Sequence, residues 1–198
     1  MNATMPALRA DEMACRRGDR VLFARLSLAL GAGEALHLAG ANGIGKSSLM
    51  RILAGLLRPF AGTVDRVGAM ALLDERPALD THLPLGRALA FWARCDAIAQ
   101  DRLDEIAARV GLTDLLDIPV RYLSTGQRKR AALVRTIAQG APIWLLDEPL
   151  NGLDAGSVVI VEALVAEHCA DGGLCVLASH QPVAVAGLKR LELAAFAA

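Results

Sequence analysis

The run Gly40-Ala41-Asn42-Gly43-Ile44-Gly45-Lys46-Ser47 has the residue types and spacing to hold a phosphate chain. It fits G-x-x-x-x-G-K-[ST], in which glycines let the backbone come close to an anion and its N–H groups converge on phosphate oxygens. The N-terminus of a following helix adds its positive dipole end, and Ser48 falls in that helix's first turn. Lys46 brings a point charge to the β- and γ-phosphates, and the Ser47 hydroxyl can ligate Mg²⁺. The plainer alternative is a glycine turn that only opens an ordinary helix.

A second place for chemistry is Trp144-Leu145-Leu146-Asp147-Glu148-Pro149, an apolar run ending in two carboxylates. In an open α/β sheet, ligands gather beyond the carboxyl ends of the strands. Both acids reach the phosphate loop if the two strands are neighbours. Asp147 is then placed to hold Mg²⁺, directly or through water, and Glu148 to polarise an attacking water. The alternative is a simple turn after a buried strand. Between these segments, Ser124-Thr125-Gly126-Gln127 reads as a capping box at a helix start, which is also an anion site. The basic triplet Arg128-Lys129-Arg130 by itself is a solvated helix face.

These groups need elements to position them. Glu34 to Ala39 has the length of a buried strand, and Ser47 to Gly55 that of a helix closed by glycine. Residues from about Leu8 to Leu30 read as two antiparallel strands with a turn near Arg17-Gly18-Asp19. After Arg58-Pro59 a short strand pair leads to Ala69–Leu73. Residues from about Arg76 to Tyr122 read as helical, with apolar spacing in Leu85 to Cys95 and Leu103 to Leu112. Further strands are expected near Ile143 and Leu174.

Composition narrows the class. The 198 residues fit one domain with a sizeable core. No stretch approaches the ~20 consecutive apolar residues of a membrane span, and no signal peptide is expected from the N-terminus. Lys+Arg and Asp+Glu balance at 21 each, which speaks against broad electrostatic binding of nucleic acid. Cys15, Cys95, Cys169 and Cys175 lack zinc-type spacing, so reduced thiols are expected.

Taken in order, the phosphate loop, Leu123–Gln127, Trp144–Pro149, Leu150-Asn151-Gly152-Leu153-Asp154 and Ala178-Ser179-His180 resemble the signature set of the ATP-binding cassette (ABC) ATPases. The resemblance covers nearly the whole chain. It implies an α/β P-loop NTPase fold, with an N-terminal antiparallel β subdomain and a helical subdomain inserted at about 76–122 of a single domain spanning 1–198. It implies ATP and Mg²⁺, and ATP hydrolysis coupled to transport. It also implies a second cassette paired head to tail with this one. Ser124, Gly126 and Gln127 would then contact the γ-phosphate of the partner's ATP, Asp154 would belong to the loop linking the two sites, and His180 would contact the γ-phosphate in its own subunit.

Three departures stand out. Cys15-Arg16-Arg17 occupies the place of the family's adenine-stacking aromatic, where an arginine plane could substitute. Asp74-Glu75-Arg76-Pro77 stands where a glutamine normally touches Mg²⁺ and the attacking water. Asn151-Gly152 replaces commoner small residues before Leu153-Asp154.

Within the family, Asp117-Ile118-Pro119-Val120, the helix Gln127–Arg135 and Ser179-His180-Gln181-Pro182 resemble the ATP-binding subunits of cytochrome c maturation systems. That resemblance implies a peripheral protein on the cytoplasmic side of the bacterial inner membrane, bound to integral membrane permease subunits. Its ATP hydrolysis would power haem export or release of a haem-loaded chaperone. The four histidines form no evident haem site. The helical region around Phe91 and Trp92 would receive the membrane partner, or those aromatics are simply core. An exporter cassette for another cargo and a soluble iron–sulphur assembly cassette remain open alternatives.

Overall fold

The computed structural model describes residues 5–74 and 78–197. In chain order, β1 (Ala7–Arg17) and β2 (Arg20–Gly31) form a hairpin, and β3 (Ala35–Ala39) runs through a loop into α1 (Lys46–Leu53). Then come β4 (Ala61–Val67), β5 (Met70–Leu73), α2 (Leu85–Cys95), α3 (Gln100–Arg109) and α4 (Thr125–Ala138). The chain closes with β6 (Ile143–Asp147), α5 (Ala155–Ala170), β7 (Leu174–Ala178) and β8 (Lys189–Glu192). Short 3-10 turns occur at Thr113–Leu115, Val120–Tyr122 and Leu193–Phe196.

The strands divide into two sheets of opposite character. An antiparallel sheet has the order β2-β1-β4, and a parallel one has the order β5-β6-β7-β3-β8. Every residue of β3, β6 and β7 is buried, as expected of central parallel strands covered on both faces. On one face, Leu36, Leu38, Leu145 and Val176 pack with α1 and with Leu8, Phe23 and Leu26 of the antiparallel sheet. On the other face, Trp144, Leu146 and Leu177 pack with Leu133, Val134 and Ile137 of α4 and Val161, Leu164 and Val165 of α5. Leu85, Leu89, Leu103 and Ile106, from α2 and α3, extend that same core.

Two expectations need correction. The strand pair foreseen after Pro59 is not a pair: β4 joins β1 in one sheet and β5 joins β6 in the other. The strands carrying the phosphate loop and the two acids are not direct neighbours either, because β7 lies between β3 and β6. Among the described residues, no helix is long and apolar enough to cross a membrane.

Register explains why the loops still meet. Leu38 of β3 and Asp147 of β6 both pair with Ala178 of β7. The three carboxyl ends are therefore level. The phosphate loop, Glu148 and Ser179-His180 leave the sheet side by side.

Candidate nucleotide site

Gly45 sits at the entry to α1 with φ at 116°, a conformation that side-chain-bearing residues rarely adopt. A Cβ there would meet Leu22 and Phe23 of β2 at 3.4 Å, an ordinary contact distance, so the loop lies directly under the hairpin. Lys46 opens α1 and is only 5 % exposed. Its Nζ donates to the carbonyls of Gly40 (2.7 Å) and Ala41 (3.3 Å), and lies 3.2 Å from Glu148 Oε1. That last approach is a charge contact rather than an aligned hydrogen bond, because Oε1 has no hydrogen-bond partner among the described residues.

Glu148 follows the end of β6 with φ at 48°, in the left-handed region, and its N–H donates to the Ala178 carbonyl at 2.8 Å. Such a conformation costs about 1–3 kcal/mol in a residue other than glycine and persists only where the surroundings enforce it. Its result is a carboxylate held between two cationic or proton-bearing groups. Oε1 faces Lys46, and Oε2 lies 2.9 Å from His180 Nδ1.

Asp147 is 2 % exposed. Its carboxylate lies beside the Ser47 hydroxyl, and Oδ1 is buried with no hydrogen-bond partner among the described residues. Burial pushes its pKa up; the Ser47 hydroxyl opposes the rise, and the negative charges of Asp74 and Glu148 add to it. An orphaned buried carboxylate oxygen beside a hydroxyl is a donor set in want of a cation. Asn42, Gly43, Gly45, Lys46, Ser47 and Ser48 share a cavity of about 370 Å³ with Asp147, Glu148 and His180. Leu22, to which no sequence motif points, and Asn151, one of the departures from the family pattern, also line it.

The comparisons with known proteins agree with this geometry. The family profile described as ABC transporter matches residues 23–151. A cytochrome c biogenesis ATP-binding export protein, CcmA, from Novosphingobium aromaticivorans is 63 % identical over 94 % of this chain and 95 % of its own length. CcmA of Sphingopyxis alaskensis is 53 % identical over 96 % of this chain and 98 % of its own. This chain belongs to the ABC transporter family, among the CcmA proteins. Membership makes it an ATP-binding, ATP-hydrolysing cassette coupled to transport. The fold agrees as well. An ABC transporter ATP-binding protein from Pyrococcus furiosus superposes with a TM-score of 0.85 at 20 % identity, over 97 % of this chain and all of that one.

Some of the cassette's sequence-predicted residues lie away from that cavity. Ser124 caps α4: its hydroxyl accepts from Gln127 N (3.2 Å), and Gln127 Oε1 accepts from Ser124 N (2.8 Å). The capping box is therefore real. Ser124 is exposed and Gly126 and Gln127 are half-buried, and none of the three is part of the cavity lining. Gly126 presses instead on the loop after β6, where a Cβ would stand 2.6 Å from the Gly152 carbonyl oxygen. Asp154 is exposed and caps α5, its Oδ1 accepting from Ser157 N at 2.8 Å. That bond holds its pKa below the usual range. Ala41 packs its carbonyl on Lys46, and Ile44 packs its side chain against Gly40.

Of the departures from the family pattern, Arg16 stacks its guanidinium 4.5 Å from the centroid of the Phe60 ring, which is itself 55 % exposed. Glu75 and Arg76, at the glutamine's place, lie outside the described residues. Phe91 is 48 % exposed, whereas Trp92 packs against the core, donates to the Ala78 carbonyl and carries Arg135 3.6 Å above its ring. Both aromatics line an apolar groove of about 230 Å³ with Leu79 and Leu83.

Proposed function

We propose that this cassette is the ATP-hydrolysing subunit of a membrane transporter for cytochrome c biogenesis, powering haem export or release of a haem-loaded chaperone. The observation that carries the catalytic part is the line Lys46–Glu148–His180 in one cavity, beside the orphaned Oδ1 of Asp147. The names of its CcmA relatives support the setting in cytochrome c biogenesis. The whole chain, 1–198, acts as one nucleotide-binding domain, with residues of about 76–122 as its helical subdomain.

In this reading the backbone of residues 40–48 cradles the triphosphate. Lys46 leaves its loop carbonyls for the β- and γ-phosphate oxygens, exchanging neutral acceptors for charged ones. Ser47 and Asp147 would hold Mg²⁺, which is typically bound by one or two protein ligands together with substrate phosphates. When bound, that ion neutralises charge building up on the phosphate oxygens. Glu148 takes a proton from the attacking water, the water oxygen bonds to the γ-phosphorus, and ADP leaves. His180 holds the γ-phosphate while keeping Glu148 oriented through Oε2.

Ser124, Gly126, Gln127 and Asp154 serve a second cassette. Ser124 and Asp154 are exposed, Gly126 and Gln127 are half-buried, and all four stand apart from the cavity that holds Lys46, which suits contact with a partner's nucleotide. The groove at Phe91 and Trp92 suits an apolar element of an integral membrane permease. Such a partner places the chain peripherally on the cytoplasmic side of the bacterial inner membrane.

Comparing two variants tests the catalytic roles. Glu148→Gln should keep ATP affinity and lose at least about a hundredfold in turnover, the loss expected on removing a general base. Lys46→Ala should lose binding itself. Turnover of Glu148→Gln within about threefold of wild type removes that residue from the base's role.

A further inference from the structure

His37 lies in the middle of β3, 4 % exposed, flanked by Leu36 and Leu38. A polar ring inside a strand buried on both faces is costly unless it is bonded. Its Nε2 stands 3.0 Å from the carbonyl oxygen of Ser179, the residue immediately before His180. A carbonyl can only accept, so Nε2 carries the proton and donates it.

This bond comes where the sheet's own ladder runs out. Ser179 N still donates to the Leu38 carbonyl at 3.2 Å, but β3 then turns into the phosphate loop at Gly40. The imidazole of His37 meets the Ser179 carbonyl in place of the next rung. On the far side of His180, Gln181 N donates to Ser179 Oγ at 2.9 Å, and that hydroxyl donates to the Gln181 carbonyl at 3.2 Å. The backbone of His180 is thus gripped from both sides, and none of these bonds uses its ring. Nδ1 stays available for Glu148 Oε2 at 2.9 Å.

We propose that His37 is a positioning residue for hydrolysis: by donating to the Ser179 carbonyl from within β3, it sets the backbone from which His180 reaches Glu148 and the γ-phosphate. The inference rests on the role given above to His180. It ties the loop that bears His180 directly to the strand that carries the phosphate loop, through a buried side chain that does not line the nucleotide cavity.

The test measures turnover and ATP affinity of the full chain, purified with the membrane proteins it holds. The variants are His37→Leu, His37→Gln and His180→Ala, with His37→Leu and His37→Gln each also combined with His180→Ala. His37→Leu leaves a buried carbonyl unpaired, and turnover should fall about tenfold with ATP affinity unchanged. His37→Gln restores a donor and should recover most of the rate. In the His180→Ala background neither His37 variant should change turnover further, because the residue it acts through is gone. Equal losses from His37→Leu in both backgrounds, or wild-type turnover in His37→Leu alone, overturn the proposal. If His37→Leu fails to fold, His37→Asn, an amide too short to reach, replaces it in the same comparison with His37→Gln. Wild-type turnover in His180→Ala would instead discard the role of His180, a result distinct from failure at His37.

Discussion

Changing Gly126→Ala adds one methyl where the structure has no room for it. The new Cβ would stand 2.6 Å from the Gly152 carbonyl oxygen, against about 3.4 Å for an ordinary contact, so roughly 0.8 Å must be found. The neighbour is backbone, and only a shift of the 151–153 loop or of the first turn of α4 can supply it. Overpacking of this kind costs about 1–3 kcal/mol. In a chain of this size each kcal/mol lowers Tm by roughly 2–4 °C, so a fall of about 5 °C is expected. Asn151, next to Gly152, lines the nucleotide cavity and would be displaced with it. The Lys46 loop is untouched. The expected pattern is therefore a lowered melting temperature, unchanged ATP affinity and reduced turnover, read by thermal melting, nucleotide titration and phosphate release. Wild-type melting together with wild-type turnover would refute the argument that the two loops are packed against each other.

Other outcomes follow from the same geometry. Lys46→Ala should remove most ATP binding, measured by nucleotide titration; undiminished affinity would contradict the phosphate-loop assignment. Asp147→Asn should raise the melting temperature of the free chain at neutral pH while removing metal-dependent hydrolysis. Burial raises the pKa of Asp147, so between its unfolded and folded values the folded chain keeps a proton that the unfolded chain has lost. Stability then falls as pH rises through that window, and the Asn variant should lose this part of the slope. An identical pH–stability profile for variant and wild type would count against it. Chelating divalent metal should stop turnover, and restoring Mg²⁺ should recover it less well in Ser47→Ala.

Local signals carried most of the site. The phosphate loop, the strand ending in Asp147-Glu148 and the capping box at Ser124 each depend on neighbours within a few residues, and each stands where the sequence placed it. What the sequence could not convey is non-local. The pattern at β4 and β5 marks two strands but does not say which partners they take, and they part into different sheets. Lys189-Arg190-Leu191-Glu192 has three charged residues in four and no apolar alternation, so β8 was not foreseen; it is a short, exposed edge strand of the kind that keeps sheets from pairing with each other. The insertion of β7 between β3 and β6, the pressure of Gly126 on Gly152, and the reach of His37 to Ser179 come from register and close approach. Only the folded chain contains these. Leu22 reaches the cavity for the same reason, through the hairpin that lies over Gly45.

The measurement that bears most directly on the account is capture with tagged Glu148→Gln chain. With ATP present, it should hold the bound state and retain its partners when drawn from detergent-solubilised membranes of its native host. Recovery of a small polytopic membrane protein together with cytochrome c maturation components, dependent on ATP and lost in Lys46→Ala, is the predicted result. Recovery of an unrelated permease would contradict the cargo while leaving the ATPase in place, and recovery of soluble proteins alone would contradict transport itself.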